Sequence, residues 1–537
     1  MRIPLTLFFV SAFTGLLGQY EYEFMSAFDL RFQEKEAMTV GKDRVHTGVK
    51  PLRKDDVIDM DSLNAQHPIG GWWTGNVWGR KLFNERLVQI DAKGFKWRLD
   101  PVMNFSGGGE YGPGATDAVN YVNTRGFLME GSFGEQVSFF STFRENQALY
   151  PSWIDAFVQA RGVVPGQGKS RAFENGVGID FSQATGAVNY RPSDYFNFTF
   201  GHGKNFIGEG HRSLFLSDNA FSYPFLRIET TAWKIKYVNL FNYMTDIRNE
   251  VKGGGVFKRK YVSMHYLSIN LGRRWNIGFF EGIVWADSAN SSGFDINFLN
   301  PIIFYRPIEF ARGSDASNAL LGFSASYLIK DRWQLYMQFM LDEFVANDIT
   351  AGNGSWTNKY ALQIGTKAFD VFHVKNLFGR FEFNMSKPYI YSHKRVLTNY
   401  GHYNQELAHP WGGNFYEFIG QIAYDYKRFG WESQITIGLQ GNDIGGYFGR
   451  GIYSSYDDRP FDEGHFIARF NRSEFYMFNL RSYWMVNPAI RLRLELAYTY
   501  RGLFFVNEEV RALQPDRSGS TFQLALRTQL FNHYYDL

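Results

Sequence analysis

The sequence predicts an all-β protein: a transmembrane antiparallel β-barrel of about 18 strands, its lumen expected to be blocked by inward-folded extracellular loops. Three observations lead there. The composition is rich in aromatics without long apolar runs, segments of about ten residues alternate apolar with polar, and short turns alternate with long polar stretches. Aromatic residues are 18% of the 537, with 53 Phe and 32 Tyr, and Gly reaches 54, yet the mean hydropathy is −0.30. Such side chains must be dispersed among polar ones. A chain this long would ordinarily form several domains, but one closed sheet can absorb it. A secreted soluble β-sandwich, whose inner faces also alternate, is the structural alternative.

The N terminus, "MRIPLTLFFVSAFTGLLGQYEYEF", reads as a signal peptide over residues 1–18. Arg2 supplies positive charge, an apolar stretch follows, and Gly18 precedes Gln19. The chain is therefore expected to be exported. It contains no cysteine, so neither disulfides nor a thioether lipid anchor can form, and a net charge of +3 gives no bias toward nucleic acid. Residues 19–94 are charged or mixed and show no helical periodicity. They read as an N-terminal periplasmic segment with a possible first strand at "LFNERLVQI", and residues 95–537 as the outer-membrane barrel.

Within the barrel, "RWQLYMQFMLDEF" sets Trp333, Leu335, Met337, Phe339 and Leu341 on one face and Gln334, Tyr336, Gln338, Met340 and Asp342 on the other. "IRLRLELAYTYR" alternates in the same way, and only a strand gathers its charges on one side. Short turns at 191–194, 272–274, 330–332, 427–430 and 486–488 alternate with long stretches at 204–224, 244–260, 287–318, 344–357, 386–415, 442–473 and 502–519. Short periplasmic turns and long external loops fit an even-stranded outer-membrane barrel. The last strand presents Phe522, Leu524 and Leu526 outward, and the following "FNHYYDL" is expected to supply interfacial aromatics. Lys234, Lys236, Arg227, Glu229, Arg491, Arg493 and Glu495 are expected to face the lumen, where charges either line a pore or pair with inward-folded loops.

Three external stretches hold the unusual polar groups: 201–225, 298–318, and "NYGHYNQELAHPWGGNF" with the segment leading into it. Their His202, His211, His393, His402 and His409, with Glu209, Glu309 and Glu406, match no zinc spacing, so no metal and no cofactor is expected. Ser213, His211 and Asp218 lie near one another, but no nucleophile elbow accompanies them. Asp342 and Glu343 are adjacent on a strand and point to opposite faces. No catalytic residue is assigned and the protein is not expected to be an enzyme. "SGGGEYGPG" lacks the phosphate-loop ending and reads as a flexible external or lumen-folded loop. The acidic "SSYDDRPFDEGH" offers calcium ligands around Asp457 without EF-hand spacing.

Three stretches, "RGSDASNALLGFSASYLIKDRWQLYMQFMLDEF", "NFIGEGHRSLFLSDNAFSYPFLRIETTAWKIKYVNLF" and "KPYIYSHKRVLTNYGHYNQELAHPWGGNFYEF", resemble the outer-membrane capsule-assembly family (the Wzi type) in its Bacteroidota form. The resemblance runs from about residue 120 to the C terminus. It implies an 18-stranded barrel blocked by loops that associates capsular polysaccharide with the cell surface. The chain is also similar to gliding-motility outer-membrane proteins linked to type 9 secretion. The leading expectation is a non-enzymatic barrel that binds or organises surface polysaccharide or lipopolysaccharide, set in outer-membrane lipid. An accessory of gliding or secretion machinery and a solute porin are the alternatives. The candidate glycan-binding or plug-loop residues are Tyr400, His402, Tyr403, Asn404, His409, Trp411, His211 and Arg212.

Overall fold

A computed structural model of the chain describes residues 25–39, 44–52, 67–115, 118–173, 176–248, 256–287, 294–301, 305, 307, 317–528 and 531–537. The signal-peptide reading of residues 1–18 and the candidate Glu309 lie outside these residues. Among the described residues, eighteen long strands close into one antiparallel barrel. They are β1 Phe95–Tyr111, β2 Asn120–Phe133, β3 Val137–Leu149, β4 Ile179–Tyr190, β5 Phe196–Gly203, β6 Tyr223–Ala232, β7 Ile235–Asp246, β8 Lys258–Leu271 and β9 Trp275–Asp287. The second half comprises β10 Ser317–Ile329, β11 Trp333–Glu343, β12 Lys359–Phe369, β13 Leu377–Ser386, β14 Phe415–Tyr426, β15 Phe429–Gln440, β16 Ser473–Asn487, β17 Leu492–Phe505 and β18 Arg517–Thr528. β18 pairs with β1, from Ser520↔Tyr111 to Arg527↔Asn104, and so leaves no open edge in the wall.

The alternation read from the sequence is the alternation of the wall. In β11, Trp333 and Leu335 are 46% and 45% exposed and face outward, whereas Gln334, Tyr336 and Gln338 are buried on the inner face. Leu494 and Leu496 likewise point out while Arg493 and Glu495 point in. Lys234, expected in the lumen, instead follows Trp233 (φ 55°) in the exposed β6–β7 turn, whereas Arg491 (φ 55°), in the β16–β17 turn, keeps its side chain buried. Most of "SGGGEYGPG" is not a loop: Ser106–Tyr111 continues β1. Glycine is required there because a Cβ on Gly108 would lie 1.9 Å from the Phe522 carbonyl oxygen of β18.

Residues 19–94 depart furthest from expectation. Ala27–Thr39 form a helix, α1, that carries Asp29, Arg31, Gln33 and Glu34 as buried side chains. It lies against the inner wall rather than outside the barrel: Arg31 reaches Asp425 at 3.2 Å and Glu432 at 3.0 Å, and Arg491 reaches Asp29 at 2.8 Å. A helix surrounded by a polar wall needs no apolar stripe, and so shows no amphipathic period. The possible first strand exists as a short hairpin arm, Val88–Ala92, paired with the start of β1.

The C-terminal tail is the second departure. After Thr528 the chain turns into the lumen: the Tyr534 hydroxyl donates to Asp218 at 2.8 Å, and Asp536 accepts from Arg212 at 2.6 Å. Its aromatics therefore do not extend the membrane-facing belt. A third feature lies outside the wall, where residues 294–301 and Tyr305 pack over the outward face of β8 and β9. Phe298 stacks on Trp285 at 4.0 Å, the Tyr305 hydroxyl meets His265 Nε2 at 2.8 Å, and the Tyr305 amide donates to Glu281 at 2.6 Å. Polar groups pointing away from the lumen are thus covered by the chain's own loop.

Candidate functional site in the barrel interior

The candidate site is assembled from loops that descend between inward-facing side chains. Residues 204–222 enter as one such loop. Leu214, Phe215 and Leu216 pack against the inner-face Val238, Leu240, Met264, Phe280, Leu320 and Met340. Phe215 stacks on Phe280 at 4.9 Å, and this approach is possible because β10 carries Gly322, whose Cβ would meet the Phe215 ring at 2.4 Å. Burying a side chain of this size contributes about 1.5–3 kcal/mol, enough to order a loop that water would otherwise solvate.

Four of the eight candidate residues meet at one buried junction. Arg212 Nη2 donates to Glu417 Oε1 of β14 at 3.0 Å and to Asp536 Oδ2 of the tail at 2.6 Å. His409 Nδ1 accepts from the Trp411 amide at 3.1 Å, so its hydrogen is on Nε2, which donates to Glu417 Oε2 at 2.7 Å. The Trp411 indole donates to the Asp536 carbonyl at 2.6 Å. The His211 amide binds Glu382 at 2.7 Å, and its ring lies edge-on to Tyr534 at 5.3 Å. Burial holds the His211 imidazole well below its ordinary range, with Arg212 and Arg380 adding to the effect.

The other four form a separate patch nearer the external end of the wall. Tyr400 donates to the Phe215 carbonyl at 2.7 Å, and His402 Nδ1 accepts from the Thr245 amide at 3.1 Å. Tyr403 packs on Phe221 at 4.7 Å. Asn404 Nδ2 donates to the Arg161 carbonyl at 2.9 Å, while Arg161 returns a bond to the Asn404 carbonyl at 3.0 Å. Burial pushes the His402 pKa down to about 3. Tyr400, His402, His409, Trp411 and Arg212 are all buried, and Tyr403 and Asn404 are only partly exposed.

A third junction was not legible in the sequence. Lys367 of β12 contacts Glu34 of α1 at 2.9 Å and Glu209 of the descending loop at 3.0 Å, and Lys50 also reaches Glu34 at 3.0 Å. Burial opposes ionisation of Glu34, but Lys367, Lys50 and Arg380 together outweigh it and hold its carboxyl down to about 2. The signal that could have found it is the pairing of a charged N-terminal stretch with inward-facing lysines and arginines.

The remaining sequence candidates separate in space. The Ser213 hydroxyl donates to the Ile207 carbonyl at 2.5 Å and Asp218 is bound by Tyr534, so each is committed to holding the loop. Asp342 accepts from the Tyr391 amide at 2.7 Å, while its neighbour Glu343 meets Lys359 at 2.5 Å. Around Asp457, Arg459 contacts Asp457 at 3.6 Å and Asp462 at 2.6 Å. Among the described residues no group of three or more His, Asp or Glu side chains is arranged to hold a metal ion.

A closed eighteen-stranded wall with apolar side chains outward and a polar, packed interior defines an outer-membrane β-barrel. In fold it is similar to Wzi of Escherichia coli, described as a carbohydrate-binding β-barrel involved in group 1 capsule assembly. That likeness covers 95% of this chain and 100% of the other at 11% identity, with a TM-score of 0.52. Weaker likenesses are to Pseudomonas aeruginosa OccK1 (8% identity, 80% and 98% coverage, TM-score 0.43) and OprD (10%, 82% and 98%, TM-score 0.42). No family model matches the chain, and no curated protein matches it in sequence.

Proposed function

We propose that this outer-membrane protein is a closed barrel that binds or organises polysaccharide at the cell surface. The observation that carries the closed reading is the junction at Arg212, where an external loop, the inner wall and the C-terminal tail meet through side chains excluded from solvent. A diffusion pore would leave such inward-facing charges in water. The carbohydrate part of the reading draws on the fold likeness to Wzi and on the external rim. There the loops 344–358 and 441–472 are joined by the His465 amide donating to the Gly354 carbonyl at 2.7 Å and by Asn353 donating to Glu463 at 2.7 Å.

This rim presents Phe344, Phe461 and Phe466 as exposed rings, with the Arg469 guanidinium 5.5 Å from the Phe466 centroid. Exposed rings stack on sugar faces, and guanidinium groups meet sugar carboxylates. On this reading Tyr400, His402, His409, Trp411 and Arg212 hold the plug, and the rim meets the glycan. Deletion of the gene, scored for both cell-associated polysaccharide and surface spreading, tests it. Loss of polysaccharide with intact spreading is expected; the reverse would favour a motility or secretion accessory. Sustained conductance of the purified protein in planar bilayers would overturn the closed reading.

A further inference from the structure

The described part of the segment between the interior and β1 begins at His67, and it carries the most exposed aromatics of the N-terminal region. Trp72, Trp73 and Trp78 are 76%, 55% and 83% exposed, and Val77, Leu82 and Leu87 are also exposed. A seven-residue helix, Val77–Phe83, capped by Asn76 Oδ1 accepting from the Gly79 amide, holds Trp78 and Leu82 one turn apart.

The position of this segment is defined by bonds to the short-turn rim of the barrel. Arg428, in the β14–β15 turn, donates to the His67 carbonyl at 2.8 Å, the Phe83 carbonyl at 3.0 Å and Asn84 Oδ1 at 2.7 Å. Asn487, at the end of β16, donates to the carbonyls of Lys81 at 2.8 Å and Glu85 at 2.9 Å. Phe83 then joins one apolar cluster with Val486, Ile490 and, from the wall strands, Met103, Trp484, Leu492 and Leu526. These four belong to the outward face, in the same alternation as the exposed Leu494, Leu496 and Leu524. Leu492 is thereby buried at 4%, whereas Leu494, the next outward residue of β17, is 44% exposed. The segment therefore sits outside the wall, immediately below the first open ring of the lipid-facing belt.

The aromatics run outward from that contact without a break: Trp73 lies edge-on to Phe83 at 6.5 Å, and Trp72 stacks on Trp73 at 4.0 Å. Ile90 of the hairpin arm is exposed on the same side as its partner Trp97. Arg80 and Lys81 are bound to Glu85 at 2.9 and 3.3 Å, which gives the segment a polar flank. Indole rings prefer the boundary between hydrocarbon and headgroups, and a short apolar face with polar flanks lies in that plane rather than spanning it.

We infer that residues 67–90 form an interfacial anchor that lies in the phospholipid leaflet at the short-turn rim, with Trp72, Trp73, Trp78 and Leu82 in contact with lipid. The occupant is a lipid surface because the apolar face is continuous with the lipid-facing wall.

The chain contains no cysteine, so single-cysteine spin labels report position without background. Trp78→Cys, Leu82→Cys, Leu496→Cys and Asp194→Cys are each reconstituted into phosphatidylethanolamine–phosphatidylglycerol vesicles, and collision with oxygen is compared with collision with a water-soluble nickel chelate. Leu496 is the lipid-facing reference and Asp194, in an exposed turn, the aqueous one. The labels at 78 and 82 are expected to lose nickel collision and gain oxygen collision, as at 496. Readings at both positions that match 194 would overturn the inference and leave the face free for a periplasmic protein. Should Trp78→Cys fail to assemble, Leu82→Cys removes a smaller side chain and decides alone.

Discussion

Arg212 and Asp536 lie 324 residues apart in sequence and 2.6 Å apart in space, within the lumen of the barrel. The contact joins an external loop to a tail that enters after the final strand, so the interior is tied together from both ends of the wall. Both side chains are almost wholly buried. Removing Asp536 leaves Arg212 bonded to Glu417 alone, so the cost falls below the about 3–5 kcal/mol of a fully orphaned buried charge.

Asp536→Ala is therefore expected to destabilise the plug more than the wall. The temperature at which the purified protein loses its heat-resistant gel mobility should fall, and conductance bursts should appear in planar bilayers. A silent variant in both measurements would show that the tail does not hold the loop.

The paired substitution His402→Ala with His409→Ala removes two imidazoles whose ring nitrogens are bonded to the Thr245 amide and to Glu417. The Thr245 and Trp411 amides lose their acceptors, each at a cost of about 1–3 kcal/mol. The double variant should thus lose heat resistance, whereas residues free to meet a ligand would leave it unchanged.

Trp411 depends on a glycine in the facing wall. A Cβ on Gly438 would lie 2.4 Å from the far edge of the indole ring, and a branched side chain would need still more room. Gly438→Val should displace Trp411 and break its bond to the Asp536 carbonyl. The checks are a blue shift lost from the tryptophan emission and faster cleavage of the 531–537 tail by carboxypeptidase.

Acidification should open the interior in two stages. His402 is neutral when docked down to pH about 3, against an ordinary value of 6.5, so the undocked loop gains a proton that the docked loop refuses. Docking is strongest above pH 6.5 and weakens as pH falls toward 3, by at most about 1.4 kcal/mol per unit. Glu34 behaves as a depressed carboxylate: its contribution is complete above its ordinary 4.5 and is lost as pH falls to about 2. Conductance events should therefore begin below pH 6 and increase again below pH 4.5, and His402→Gln should weaken the first stage without touching the second, since His211 is likewise held neutral inside.

At the external rim, Phe466→Ala should reduce the polysaccharide retained by cells without changing heat resistance, since its ring is exposed. Equal loss of retention and of barrel assembly would remove Phe466 from the proposed glycan surface.

Much of the wall was legible because its physics is local. A strand between lipid and a polar interior must alternate every second residue, and the run at Trp333–Leu341 shows that period directly. The long stretch after Phe383 was read as an external loop turned inward; its Tyr400 bonds to the Phe215 carbonyl and its His402 to the Thr245 amide. The connection after Leu149 escaped notice, since it contains a helix, Ser152–Arg161, and little low-complexity polar sequence.

By itself, then, the sequence determined the strand period, the order of short turns and long loops, and hence an even-stranded wall with lipid on one side. The tertiary structure alone decided what fills that wall: α1 without an apolar stripe, a C-terminal tail turned inward, and the meetings of Arg212 with Asp536 and of Lys367 with Glu34 and Glu209. Alternation is written between neighbours along the chain. Charge pairing across a lumen depends on residues hundreds of positions apart, and only closure of the barrel brings them within reach.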